Sequence, residues 1–154
     1  MKNNKGGGMM WLFATVVLVA AAITLFAVRA SNPPDFDAGA QSSGVATVGG
    51  LMVEGAEIAL GEVPLNVTVT PTWTLVNDGA EAVSLGEPHA TVVEGCCPGP
   101  LTLSATSLAP GESAELTFPL QMHPGMEGPH SFDVHVPVGS GDEFLTLGVS
   151  GDFG

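Results

Sequence analysis

The stretch VTVTPTWTLV, residues 67–76, alternates apolar and polar side chains in the way that is typical of a half-buried β-strand. Threonines occupy most positions of one parity, and the other parity is largely apolar: Val67, Val69, Trp73 and Leu75. The tripeptide NDG follows at residues 77–79 and predicts a turn, because its glycine adopts a positive φ without steric cost. We therefore predict a strand and a turn of a β-sheet domain here.

The same kind of pattern extends from about residue 51 to the C-terminus. Short runs of β-forming residues are separated by turn residues about every 8–12 positions, which is typical of a β-sandwich. Such runs cover residues 56–60, 82–85, 101–103, 116–120, 132–138 and 144–149. We predict an all-β domain over residues 51–154, an immunoglobulin-like β-sandwich of about seven to eight strands.

The N-terminal part of the chain has a different character. Residues 9–28, MMWLFATVVLVAAAITLFAV, carry no charge, and as a helix they span about 30 Å, the thickness of a bilayer core. Lys2 and Lys5 precede this segment, so the positive-inside rule places residues 1–8 in the cytoplasm. We predict a retained single-pass transmembrane helix in the cell membrane, with the C-terminal domain extracytoplasmic.

Two other interpretations of this segment stay open. In the first, it is a cleaved signal peptide with a small-x-small site at residues 28–30, although the apolar run exceeds the usual length of about 7–15 residues. In the second, it is a prepilin-like leader processed near residues 6–8, and the chain is a filament subunit; no glutamate stands early in the helix. Each interpretation places the mature domain outside the cytoplasm.

Residues 29–50 connect the apolar segment to the predicted domain. They are rich in Pro, Gly, Ser and Asp and show little hydrophobic periodicity. This composition predicts a flexible linker that holds the domain away from the membrane.

The charges are strongly segregated along the chain. All three cations (Lys2, Lys5 and Arg29) lie in the first 29 residues, and all 16 carboxylates follow Arg29. From residue 30 onward the formal charge is therefore −16 with neutral histidines, because no Lys or Arg is present. Such a surface excludes nucleic acid as a partner, since phosphate binding needs cations. Metal ions, basic protein partners and a high-salt setting remain compatible.

Cys96 and Cys97 are the only cysteines, and they are adjacent in the loop EGCCPGP. Neighbouring Cα atoms lie about 3.8 Å apart, below the usual disulfide range of about 4.4–6.8 Å, so an ordinary stabilising disulfide is not expected. Three fates remain: a strained redox-labile pair, intermolecular disulfides, or thiolates held by a metal. Glycines and prolines around the pair predict a stiff loop that presents both sulfurs outward.

The stretch QMHPGMEGPH, residues 121–130, is the second candidate loop. Its thioethers and imidazoles suit copper, whereas calcium and magnesium prefer oxygen. Together with the cysteines they make the predicted metal site: Cys96, Cys97, Met122, His123, Met126 and His130. In the alternation of the following strand, His130 shares the core face with Phe132, and His135 lies on the opposite face. His89 could approach Cys96. In the alternative interpretation, the methionines cap the core and the histidines are ordinary loop residues.

The order of these segments resembles bacterial cell-envelope immunoglobulin-like domains of the hydin and major-sperm-protein-like group, much of it of unknown function. The resemblance covers about residues 56–151, and its most specific parts are an N-x-G turn (Asn77, Gly79) and an L-x-P-G-E turn at residues 108–112. It implies a fold and an envelope location, and no defined activity. The chain departs from the group at the Cys pair, where many members have Cys-Gly-Cys, and in its Met- and His-rich loop.

The sequence contains no catalytic motif that we recognise: no Ser–His–Asp pattern, phosphate loop or HExxH. We therefore expect a protein that is not an enzyme, with dithiol redox chemistry as the one enzymatic alternative. Our first hypothesis is a membrane-anchored domain that binds copper ion and exchanges it with a metal-donor or metal-acceptor protein or a membrane complex. The alternative is a structural or interaction module of a cell-envelope complex.

Overall fold

The computed structural model describes residues 40–140 and 142–154. In these residues the chain is all-β, and no helix capable of crossing a membrane is found among them. The predicted transmembrane helix, the cytoplasmic residues 1–8 and the linker up to residue 39 lie outside this range. The predicted all-β class of the domain is confirmed.

Ten strands form the described part of the chain, rather than the predicted seven or eight. Three of them are only two residues long, which is too short for a recognisable alternation in the sequence. The strands are β1 (Gln41–Val48), β2 (Leu51–Val63), β3 (Thr72–Asn77), β4 (Val83–Ser84), β5 (His89–Glu94), β6 (Thr102–Leu103), β7 (Ser107–Leu108), β8 (Ser113–Thr117), β9 (Gly128–Val138) and β10 (Glu143–Phe153).

A single continuous sheet supplies both layers of the sandwich. Its order is β5-β9-β10-β2-β3-β8-β6, with β1 also paired to β2, and β4 and β7 form a separate ribbon. The 13-residue strand β2 joins the layers: Leu51 and Met52 pair with β3, while residues 57–63 run parallel to β10. Because one strand serves both layers, the sheet folds over a common core and keeps β5 and β6 as its edges.

The buried side chains follow the alternation seen in the sequence. Phe118, directly after β8, meets Phe132 of β9 edge-to-face with ring centroids 5.5 Å apart. Trp73 donates a buried hydrogen bond from Nε1 to the Ala56 carbonyl, 3.2 Å away. Of the predicted inward positions, Val67 is half-buried and the others are buried: Val69, Trp73, Leu75, Leu116, Phe118, Leu120, Phe132, Val134, Val136 and Val138. Period-two patterning therefore identified the core faces correctly.

The domain begins earlier than the predicted boundary at residue 51. Gln41–Val48, inside the range predicted as flexible linker, forms β1 and pairs antiparallel with β2. Its side chains are mostly exposed, and Gly44 at φ +76° accompanies a register shift in the pairing. The strand therefore depends on backbone pairing with β2 rather than on an apolar face, which explains why its sequence looks like a linker.

The two turns that carry the family resemblance are bound to each other. The Asn77 side chain is fully buried, and its Nδ2 donates to the carbonyls of Glu81 (2.8 Å) and Leu108 (2.9 Å). The Asn77 amide also donates to the Glu112 carbonyl at 2.9 Å, and the Gly111 amide donates back to the Asn77 carbonyl at 2.8 Å. These motifs therefore have a structural role in joining two turns.

Candidate functional site

The loop that carries both cysteines leaves an edge strand at a β-bulge. β5 pairs with β9, and the register shifts between Val92 and Glu94, so that Val93 is the extra residue. A bulge of this kind bends the strand and re-aims the residues that follow it. The bend places Gly95 directly against His130 at the start of β9.

Two glycines allow the Cys loop to approach the sheet this closely. At Gly95, where φ is +83°, an added Cβ would overlap the ring of His130, with only 2.6 Å to its Cγ. At Gly99, an added Cβ would overlap the carbonyl oxygen of Pro119. The loop therefore packs by its backbone against neighbouring segments, and the glycines flanking the cysteines are required for that contact.

His130 is the best-positioned donor of the site. Its side chain is only 4% exposed, as its core-side parity predicted, and it packs edge-to-face on Phe153 with ring centroids 5.3 Å apart. Nδ1 lies 3.0 Å from the Gly128 carbonyl, which accepts but cannot donate, so Nδ1 carries the proton. Nε2 is therefore the unprotonated nitrogen of the neutral ring, and it faces Cys96 Sγ at 4.0 Å.

The two sulfurs lie together beside this ring. Cys97 Sγ is 2.6 Å from Cys96 Sγ, and Cys97 has a left-handed backbone conformation at φ +60°. Cys96 is half-buried and Cys97 is exposed. Contact with Cys97, then partial burial, then the charge of Cys97 raise the pKa of the Cys96 thiol above its usual value. The Cys96 thiol therefore forms its thiolate, the nucleophilic and metal-binding species, less readily than an ordinary cysteine does.

The other three predicted ligands make contacts elsewhere in the domain. Met122 is fully buried in the core, so its thioether packs against apolar side chains, as the alternative interpretation expected. Met126 is packed against the core, and its Sδ accepts a 3.5 Å hydrogen bond from the His123 amide. His123 Nδ1 lies 3.0 Å from Asn66 Oδ1. These three side chains thus have contacts of their own, whereas Cys96, Cys97 and His130 lie next to one another.

Few side chains that could bind a metal ion lie together at the Cys loop. Within residues 40–140 and 142–154, no group of three or more His, Cys, Asp or Glu side chains is placed to hold a metal ion. The close pair is Cys96 and His130, with the Cys97 sulfur turned towards Cys96. One signal for this pairing was present in the sequence, because glycine directly before the cysteines indicates a close backbone approach. The glycine alone does not indicate that the residue it approaches is His130.

His89 does not approach Cys96, contrary to the expectation from sequence. It is the first residue of β5 and is paired in register with His135 of β9, on the outer face of the sheet. Cys96 lies beyond the opposite end of β5, after Glu94. The expected position of His135 on the face opposite the core is confirmed, because its neighbours Val134 and Val136 are buried.

No protein-family model matches the chain, and no curated protein matches it either. Among solved structures, a protein of unknown function from Porphyromonas gingivalis W83 superposes with a TM-score of 0.51 and 13% identity, over 73% of this chain and 49% of that one. The VesB protease of Vibrio cholerae superposes with a TM-score of 0.48 and 18% identity, over 68% of this chain and 32% of the protease. PapD-like domain 7 of human CEP192 superposes with a TM-score of 0.45 and 15% identity, over 81% of this chain and 90% of that domain.

The chain spans less than half the length of the first two of these proteins. At identities of 13–18% the likenesses concern the fold alone.

Proposed function

We propose that the chain is a membrane-anchored, extracytoplasmic immunoglobulin-like domain that binds copper(I) through Cys96, Cys97 and His130 and transfers it to a partner. The observation that carries the proposal is the 4.0 Å approach of a buried imidazole Nε2 to a cysteine sulfur. The hydrogen bond from His130 Nδ1 to the Gly128 carbonyl supports it, because metal-binding histidines are commonly oriented by such a bond.

The number and softness of the donors favour copper(I) over other ions. Two thiolates are soft ligands and imidazole is a borderline one, and this set selects copper(I) over calcium, magnesium or manganese. Structural zinc sites use four protein ligands, and this loop offers three at most. Copper(I) is a closed-shell ion that is stable with two or three ligands, so the small donor set suits it.

The spacing of the donors also fits one bridging ion. With metal–sulfur and metal–imidazole bonds of about 2.3 and 2.0 Å, the sulfur and nitrogen can lie up to about 4.3 Å apart. The distance of 4.0 Å from Cys96 Sγ to His130 Nε2 falls inside this limit. The sulfurs of Cys96 and Cys97 would have to separate from 2.6 Å to bind together, and the exposed Cys97 has room to turn.

Transfer would proceed by ligand exchange at the exposed side of the loop. An incoming soft donor of the acceptor binds copper(I), Cys97 leaves first because it is exposed, and Cys96 and His130 follow. The thiols release their protons to water on binding and recover them on release, so no electron is transferred. The acidic surface attracts the cation and any basic partner.

Anaerobic titration of the full-length chain with copper(I), against a chromophoric competitor, tests this proposal. We expect a single copper(I) per chain. Cys96→Ser should weaken binding by more than the roughly 10–100-fold that loss of an outer-shell partner costs, and His130→Gln should act in the same direction. Met126→Leu and His123→Gln are matched controls, because their side chains have other contacts, and they should leave the affinity unchanged. Equal affinity in Cys96→Ser and the unsubstituted chain would refute the site.

A second candidate function is an interaction module of an envelope complex. The supporting observation is the edge strand β5, where Val92 and Val93 are 40% and 61% exposed. Such an edge can pair with a strand of another protein. Cross-linking in cells should then give a stoichiometric partner that Val93→Lys removes and Cys96→Ser retains. The opposite pattern would favour the copper proposal.

A further inference from the structure

Two histidines face each other on the outer surface of the β5–β9 pair. His89 and His135 are directly opposite in the antiparallel register, and their ring centroids lie 5.2 Å apart with the planes tilted by 36°. Directly opposed residues have Cβ atoms about 4.5–5.5 Å apart, so both side chains emerge from the same place on the sheet. Neither residue belongs to the copper(I) site proposed above.

We infer that His89 and His135 form a second metal site, which binds a divalent transition-metal ion of borderline softness through two imidazoles. Imidazole is a good ligand for copper(II), nickel(II) and zinc(II), and among these copper(II) binds most tightly to a given nitrogen site. Water completes the coordination, because no third His, Cys, Asp or Glu of the described residues is placed to join the pair.

The ring separation is the one that a shared ion requires. Two imidazoles bound at about 2.0–2.1 Å have ring centroids about 4.5 Å apart at the right angle of tetragonal copper(II) and about 5 Å apart at the tetrahedral angle of zinc(II). The observed 5.2 Å therefore needs little movement of either strand, only rotation of the rings. β9 lies between β5 and β10, so His135 is on a strand that is paired on both sides.

The surroundings of the pair orient the rings and favour a cation. His135 Nδ1 lies 3.2 Å from the Thr146 hydroxyl, which occupies that nitrogen and leaves Nε2 for a metal. Phe144, 46% exposed, meets both rings, at 5.9 Å from His89 and 6.4 Å from His135, and shields one side from water. Asp133 lies two residues from His135 on the same face, and the surrounding surface carries no Lys or Arg.

Copper(II) titration of the full-length Cys96→Ser/Cys97→Ser variant, followed by electron paramagnetic resonance, isolates this site. The double variant has no thiol to reduce copper(II), so the outcome is independent of the copper(I) proposal. We expect one bound copper(II) with hyperfine coupling to two imidazole nitrogens. His89→Gln or His135→Gln should weaken binding on the order of a hundredfold, because the second imidazole then no longer acts as an intramolecular ligand.

His123→Gln is the matched control, since it removes an exposed imidazole that contacts Asn66 instead. Its affinity for copper(II) should equal that of the parent double variant. Coupling to a single nitrogen, or equal weakening by all three histidine substitutions, would overturn the inference. Because both rings are on the surface of the sheet, loss of folding is not expected, and unchanged circular dichroism checks this.

Discussion

At the residue scale, Gly95 connects the Cys loop to the buried histidine. Its φ of +83° and its contact with the His130 ring both require the absence of a side chain. We predict that Gly95→Ala lowers the free energy of unfolding by about 1–3 kcal/mol from backbone strain, with an added steric cost, and moves the loop off His130. Urea denaturation measures the first effect and copper(I) affinity the second.

Gly111→Ala is the matched control for this prediction. Gly111 has nearly the same conformation, φ +80°, but an added Cβ there meets nothing within 4 Å. The control should show the backbone strain alone, with copper(I) affinity unchanged. If both variants lost equal stability and both bound copper(I) normally, the packing of Gly95 on His130 would have no role in the site.

The Cys96 thiol makes a second residue-scale prediction, about pH. Contact with Cys97 is the largest cause that raises the pKa of Cys96, so Cys97→Ala should lower that pKa. A lower pKa gives more thiolate at a given pH, and the curve of alkylation rate against pH should move to lower pH. Iodoacetamide labelling with fragment mass spectrometry of the Cys96 peptide measures it. A curve that stays in place or moves to higher pH would contradict the assigned cause.

At the scale of elements, the joined turns at Asn77 and residues 108–112 hold β3 to the segment before β8. Asn77→Ala would remove the donor that this side chain offers to the buried Leu108 carbonyl and to the part-buried Glu81 carbonyl. A buried group that loses its partner costs about 1–3 kcal/mol and a part-buried one costs less, so we predict a loss of about 2–4 kcal/mol in unfolding free energy. Glu112→Ala, which removes the exposed bond to the Ala109 amide, should cost clearly less in the same urea denaturation. A loss that is no greater at Asn77 would contradict this role.

Elements with their own apolar alternation could be predicted from sequence, and those without it could not. Leu116, Phe118 and Leu120 are buried as expected, since period-two patterning reports directly on a core face. β1 was missed because QSSGVATV has little apolar alternation and pairs through its backbone. The approach of Cys96 to His130 spans 34 residues and depends on the β5–β9 register and its bulge, which no local pattern encodes.

Part of the candidate site was predictable for the same reason. The core-side position of His130 followed from its parity with Phe132, and the buried histidine confirms it. The roles of Met122 and Met126 could not be separated from ligand roles by sequence, because a flexible thioether serves equally well as core filler and as soft donor. In the folded domain Met122 is part of the buried core, and the half-buried Met126 packs against it.

At the scale of the whole molecule, every Asp, Glu, Lys or Arg from residue 30 onward is an acid. Of the 16 carboxylates, two (Asp35 and Asp37) precede residue 40, so residues 40–154 carry 14 and no Lys or Arg. Like charges repel more strongly in the folded than in the unfolded chain, and salt screens this repulsion. We predict that the midpoint of thermal unfolding rises by several degrees between low and moderate sodium chloride. An equal rise of the unfolding midpoint in tetramethylammonium chloride would identify charge screening, rather than binding of sodium ions, as the cause. An unchanged midpoint in both salts would contradict the prediction.

X-ray absorption at the copper edge of the copper(I)-loaded chain tests the central claim most directly. Our account predicts a low-coordinate ion with sulfur at about 2.3 Å and one imidazole nitrogen at about 2.0 Å, from Cys96, Cys97 and His130. The nitrogen shell should disappear in His130→Gln and persist in His123→Gln. A spectrum without nitrogen in the unsubstituted chain, or one that His130→Gln leaves unchanged, would show that copper(I) does not bind between the Cys loop and His130.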